Sequence, residues 1–246
     1  MKWKKRLVIA LTCGMTILFP VVSVAAAKHD PVGPRPGLDP GDFVSQVDNE
    51  FFPLKPGTTF FYKGTQDGVP TREEVYVTHE TKQILGVTCT VVRARAFEDE
   101  VLVEDTFDWY AQDEDGNVWY FGEDTKELDP DGNVISTEGS WQAGVDGAQP
   151  GIIMEAHPRV GDRYRQENAP DVAEDMAQVL SLDKSACVPY KCFDDLLLTK
   201  EWTPLERGVV EHKYYAEDVG FVLGVMVKGG DERIELVRVT TEGQEH

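Results

Sequence analysis

Beyond residue 42 the chain is a succession of short runs in which apolar and polar residues alternate, broken again and again by turn dipeptides. A period of two puts successive side chains on opposite faces of a strand and cannot give a helix one continuous apolar stripe. Such runs occupy 58–62 (TTFFY), 74–78 with Val75 and Val77 on one face, 87–96 (VTCTVVRARA), and 101–110 with Val101, Val103 and Phe107. They continue through 117–121 (NVWYF), 134–136, 196–202, 209–215, 220–227 and 234–239. Gln66-Asp67-Gly68, Asp115-Gly116 and Asp131-Gly132 separate several of them. Asp-Gly between apolar runs marks a hairpin, because Gly accepts the positive φ that the tight turn demands. Polar residues at alternate positions suit antiparallel sheets with one wet face and argue against a buried parallel sheet. The expected fold is therefore mainly β: a curved antiparallel sheet, an open barrel or a sandwich, with at most one or two short helices. Residues 171–182 read both ways. Asp171 fits an N-cap before Val172, Met176 and Val179, yet Met176, Gln178, Leu180 and Leu182 alternate as a strand. No repeat of fixed length points to a propeller or solenoid.

The first 27 residues differ in kind. Lys2, Lys4, Lys5 and Arg6 precede an uncharged apolar run from Leu7 to Val24, and Ala25-Ala26-Ala27 follows. This is the order of a secretory signal peptide, with cleavage expected after Ala27. The run is also long enough for an uncleaved anchor, but Pro20 and the alanine triplet favour cleavage. Cys13 lacks the Leu-small-small order of a lipoprotein signal before it and belongs to the discarded segment. Residues 28–42 are rich in Pro and Gly and read as a linker, 43–241 as a single β-rich domain, and 242–246 as a flexible tail. A chain of this length buries roughly 70% of its unfolded surface, enough for one sizeable core. It holds no second long apolar run, so no transmembrane span is expected in the mature chain.

Charge limits the partners. The chain carries −20, and loss of the signal segment leaves 20 Lys and Arg against 44 Asp and Glu. Such a field repels nucleic acid and anionic membranes and draws cations or basic partners. Three cysteines remain after cleavage. Cys187 and Cys192 flank Val188-Pro189-Tyr190-Lys191, and pairing of their strands brings the two Cβ atoms together. Export permits that disulfide. Cys89 lies in an alternating apolar run as a buried thiol, and the spacing is not that of a zinc site.

Three groups of side chains are candidates for chemistry. Residues 127–138 match a calcium loop, with Glu127, Asp129, Asp131, Asn133 and Glu138 at positions 1, 3, 5, 7 and 12 and Gly132 at the sharp turn. The competing account is a plain hairpin turn at Asp129-Pro130-Asp131-Gly132, because these are turn formers and the flanks read as strands. Trp109, Trp119, Tyr120 and Trp141 belong to a dense aromatic group that either lines a groove for an apolar or carbohydrate ligand or fills the core. His212 shares a strand face with Tyr214, a pairing that suits acid–base chemistry if a carboxylate lies near and otherwise a structural histidine. The chain has no Gly-x-Ser-x-Gly elbow, His-Glu-x-x-His motif, phosphate loop or dinucleotide fingerprint.

Several stretches resemble an uncharacterised family of exported bacterial β-rich proteins. They are 108–113 (DWYAQD), 116–125 (GNVWYFGEDT), 138–141 (EGSW), 199–205 (TKEWTPL) and 211–215 (EHKYY), together with 51–58 (FFPLKPGT) and 143–148 (AGVDGA). Phe52-Pro53-Leu54, Gly57 and Tyr62 also look like the opening strand of diverse exported β proteins. The resemblance implies export and a β fold, and carries no activity and no functional residues. The function expected is thus an acidic, exported, non-enzymatic domain that binds calcium or an apolar or carbohydrate ligand. The alternatives are a secreted hydrolase or lyase using His212, and a surface protein that binds a basic partner.

Overall fold

The structure, a computed structural model, describes residues 38–243, so the signal segment, most of the 28–42 linker and the last three residues lie outside it. Among the described residues the strands are β1 (Phe43–Val44), β2 (Val47–Asn49), β3 (Phe52–Leu54), β4 (Thr58–Gln66), β5 (Val69–Ile84), β6 (Val87–Glu98), β7 (Val101–Asp113), β8 (Val118–Leu128) and β9 (Val134–Ser136). They continue with β10 (Trp141–Gln142), β11 (Gln149–Met154), β12 (Arg163–Arg165), β13 (Glu167–Asn168), β14 (Met176–Cys187), β15 (Cys192–Trp202), β16 (Val210–Ala216), β17 (Gly220–Lys228) and β18 (Glu232–Thr241). One 3-10 turn, Pro40–Asp42, precedes them, capped by the Asp39 carboxylate, which accepts from the Gly41 amide.

The main sheet runs β12-β14-β15-β16-β17-β18-β4-β5-β6-β7-β8-β11-β13. It is a meander in two halves, sealed where β18 pairs antiparallel with β4, Leu236 opposite Tyr62. At the far ends β11 and β12 touch without a ladder, so the antiparallel barrel is nearly closed. Tight turns impose this local order. Asp67-Gly68, Leu85-Gly86 and Asp99-Glu100 each place two consecutive residues at positive φ, the geometry whose twist matches paired strands. The two acidic turns, 113–117 (DEDGN) and 129–133 (DPDGN), fold alike. The opening Asp accepts from the backbone and side-chain amides of the Asn four residues on, and the Gly amide bonds back to that Asp's carbonyl.

The segment that read both ways becomes strand. Asp171 sits at φ 61° in a turn, and β14 begins at Met176. Ala177 and Val179 face inward with Ser181, while Leu180 and Leu182 lie on the outer side. Small residues are what the crowded interior admits there.

The short hairpin β2–β3 closes one end of the barrel. Gln112 of β7 holds it, its Oε1 accepting from the amides of Asp48 and Asn49 while its Nε2 donates to Asp48. The Asn49 side-chain amide reaches the carbonyls of Gly116 and Glu155, and the Asp218 amide donates to the carbonyl of Glu50. Val47, Phe51 and Leu54 are buried beneath it.

Candidate functional site

Beneath β3 lies a narrow pocket. Its roof is Phe52, Pro53 and Leu54, and its walls are Phe60 and Tyr62 of β4, Val75 of β5, Val92 and Ala94 of β6, and the turn at Val219 to Phe221. Its base is Asp108 and Tyr110 of β7. The pocket exists because Val75, Val92 and Ala94, neighbours on the paired strands β5 and β6 of the inner face, are small where larger side chains would fill the space. About 40 Å³ is left, room for a slender group. Tyr62 donates its hydroxyl to the Phe221 carbonyl at 3.1 Å and so presents mainly its ring.

Asp108 is the one charged residue in that lining. The Tyr120 hydroxyl lies 2.6 Å from its Oδ1 and 2.8 Å from Oε2 of Glu123. A phenol has one proton to give. Both contacts are hydrogen bonds only if one of the two carboxyls is itself protonated and donates to the phenol oxygen. The arrangement suits one proton held between Asp108 and Glu123 across Tyr120. Burial supplies the reason: it pushes Asp108 up to about 7, against the pull of the Tyr120 and Tyr110 hydroxyls. Glu123 is raised well above the ordinary carboxylate range, by burial first and then by Glu167 and Asp108. Tyr110 stacks on Tyr120 at 4.7 Å, and burial also raises both phenols.

A β-bulge brings these groups together. Asp108 pairs with Glu123 and Tyr110 with Tyr120, so Phe121 and Gly122 together stand opposite Trp109. Without the extra residue Tyr120 and Glu123, three apart, would face opposite sides. Gly122 adopts φ 124°, and a Cβ there would meet the Trp141 carbonyl oxygen at 2.2 Å.

A second polar group lines the opposite wall. Lys213 of β16 sits 2.9 Å from Glu201 and 3.7 Å from Glu211, and Glu201 also accepts from Tyr215 at 2.9 Å and Thr199 at 2.7 Å. Burial alone would lower Lys213, but Glu201 and Glu211 more than offset it and hold the ammonium charged. The Lys213 ammonium is committed to Glu201 and Glu211, and the network reads as wall structure.

The sequence candidates divide. Tyr120 and Trp141 face inward, their rings edge to face at 5.5 Å. Trp109 faces outward under the Lys82 ammonium, 3.1 Å from its ring centre. Trp119 donates to Asp113 at 2.8 Å and borders an outer recess of about 220 Å³ with Phe43 and Asp42. No single groove holds all four rings. Among the residues of the expected calcium loop, Asp129 is engaged with Asn133, which faces it as a donor, and Glu127, Asp131 and Glu138 are exposed. Among the described residues no three His, Cys, Asp or Glu side chains are gathered for a metal. His212 and Tyr214 share the outer face of β16, while Lys213 and Tyr215 face in. Burial and then the cation of Lys200 lower the His212 pKa, and no carboxylate bonds it among the described residues. Cys187 and Cys192 stand opposite one another at the β14–β15 turn and form the disulfide. Cys89 is buried, its thiol pushed up to about 12.

Asp108 and Glu123 were not singled out in the sequence, and Tyr110 only as one of the dense aromatic group. The available signal was the string Glu104, Thr106, Asp108, Tyr110, Gln112 at alternate positions of β7, which reads equally well as a solvent face.

Fold and site together define a nearly closed antiparallel β-barrel with a roofed apolar pocket and a carboxyl base. No protein-family model matches the chain, and no curated protein matches it. Among solved structures it is similar to a "putative lipoprotein" from Parabacteroides distasonis ATCC 8503, at 11% identity and a TM-score of 0.39, over 79% of this chain and 100% of that one. A likeness of that degree fixes neither ligand nor activity.

Proposed function

We propose that the protein is an exported, non-enzymatic binding protein that holds a slender apolar small molecule in the barrel pocket beneath β3. The observation that carries this reading is the pocket itself: apolar walls from three strands and a turn, a roof supplied by a dedicated hairpin, and one carboxyl at the base. Ligand sites commonly take this form, mostly apolar with a few placed polar groups. The apolar lining and narrow bore favour an alkyl chain over a sugar. Export is supported by the N-terminal sequence and by the Cys187–Cys192 disulfide, a bond of oxidising compartments.

Native mass spectrometry tests the reading on protein isolated from an exported preparation, before and after solvent extraction, and on extracted protein titrated with hexan-1-ol. An organic adduct or hexanol binding is expected in the wild type and is expected to vanish in Ala94→Phe, which fills the pocket. A bare chain in every sample, or adducts that survive Ala94→Phe in folded protein, overturns it.

A further inference from the structure

The pocket's base has more to say than its walls, granted that the pocket is the binding site. We propose that the ligand is an alkylamine, its chain beneath the β3 roof and its ammonium seated on Asp108. The walls contribute Phe52, Leu54, Phe60 and Phe221 as apolar surface, and the single ionisable carboxyl exposed to them has no Lys, Arg or His paired with it among the described residues. Glu123 stands behind it. It is 1% exposed, and its Oε1 makes no hydrogen bond, so acceptor capacity at the base is left unused. A buried acceptor without a donor is costly unless something supplies one. Among the described residues, Arg72, Lys82, Arg93 and Arg238 lie over outward aromatic rings, and Lys213 is held by Glu201 on the other wall.

An ammonium fits the shared-proton pair chemically. In the empty pocket Asp108 and Glu123 hold one proton between them across Tyr120. An arriving R–NH3⁺ brings a positive charge that lets both carboxyls ionise, and the shared proton leaves to solvent. Binding is an exchange of one cation for another, with no bond made or broken in the ligand. A neutral alcohol brings no charge and displaces no proton. The ionisable groups facing this exchange are Tyr110 on β7, Tyr120 and Glu123 on β8, Glu104 beside Glu123, Glu167 from β13, and Tyr62 with Glu73 across the pocket. None is a cation, so the base stays receptive to one.

The test is isothermal titration of the purified protein with hexylamine, hexan-1-ol and hexanoate at pH 8, repeated in buffers of different ionisation enthalpy. Hexylamine is expected to bind about tenfold or more tightly than hexan-1-ol, the scale of one charge-assisted hydrogen bond. Its binding is expected to release protons, read as a buffer-dependent heat, while the alcohol releases none and hexanoate binds most weakly. Asp108→Asn is expected to erase the amine's advantage and leave the alcohol. Because that variant also alters the buried network, the proton release of the wild type stands as independent evidence. If hexan-1-ol matches hexylamine, or if hexylamine binds without proton release, the amine inference falls while the pocket reading stands. If none of the three binds, both fall.

Discussion

Tyr120 is the residue on which the interior turns. Its hydroxyl joins Asp108 to Glu123, at 2.6 and 2.8 Å, and it does so at a position fully removed from water. Tyr120→Phe keeps the ring that stacks on Tyr110 and meets Trp141, and deletes only the hydroxyl between the two carboxyls. Two buried carboxyl oxygens then lose a partner, a loss of about 1–3 kcal/mol. Urea denaturation at pH 7 is expected to show it as a lower midpoint with an unchanged slope. Tyr190→Phe, on a half-exposed ring at the β14–β15 turn, is expected to change stability by less than about 0.5 kcal/mol. Equal losses in the two variants would remove Tyr120 from its place at the centre of the site.

At the scale of elements, turns and one bulge decide where side chains point. Gly122 is the hinge of that bulge. Gly122→Ala would put a methyl group on backbone atoms of β10 and hold a non-glycine at φ 124°. A loss of roughly 2–4 kcal/mol is expected from strain and overpacking together. Gly68→Ala, at φ 83° with open space around it, carries only the conformational part, about 1 kcal/mol. The difference between the two in chemical denaturation measures the close approach of β10. At the β14–β15 turn the Cys187–Cys192 bond closes a six-residue loop across a separation of 5. A loop that short is worth about 2 kcal/mol by the chain-entropy argument. Reduction is expected to cost that much and to raise amide exchange at this turn before anywhere near β7 and β8. The long strands of the meander and the Asp-Gly hairpins were legible because alternation and turn chemistry are local, whereas β10 to β13 were not marked in advance. The Leu85-Gly86 and Asp99-Glu100 turns were not marked in advance, yet both strands around each were. The bulge at Gly122 was illegible: a one-residue shift leaves no mark on alternation except a pair, Tyr120 and Glu123, that falls out of phase. The inner polar line of β7 was legible as a line but not as an inner one, since only barrel closure turns a wet face into an interior.

At the scale of the molecule the distribution of charge governs stability. The chain carries −20 at pH 7, and several of its carboxyls lie where burial resists ionisation. Asp108, Glu155 and Glu211 are each pushed up to about 7, by burial first in every case, and burial also raises Glu123 well above the ordinary carboxylate range. A carboxyl raised in the folded state binds its proton more tightly there than in the unfolded chain. Its contribution to stability is fully present below the unfolded value near 4 and is lost as pH rises through about 7. Asp129 and Glu242 run the other way: hydrogen bonds from Asn133 and from His79 and Tyr76 hold them low, and what they add is lost only as pH falls below about 4. Stability is therefore expected to peak on the acid side, near pH 4 to 5, and to decline toward pH 8. Mutual repulsion of the surface acids slopes in the same direction, but salt separates the two. At about 0.5 M NaCl the screening length falls to roughly 4 Å, which suppresses repulsion between exposed charges and leaves buried groups nearly untouched. Unfolding free energies from urea titrations at pH 5 and pH 8 are expected to differ in the same sense at low and high salt, by a smaller amount at high salt. Asp108→Asn is expected to shrink the high-salt difference, since a single buried group accounts for at most about 1.4 kcal/mol per pH unit between the two pKa values. A free energy that is flat or rises from pH 5 to pH 8 at high salt would mean the interior carboxyls are ionised in the folded barrel, and the shared proton across Tyr120 would have to be abandoned.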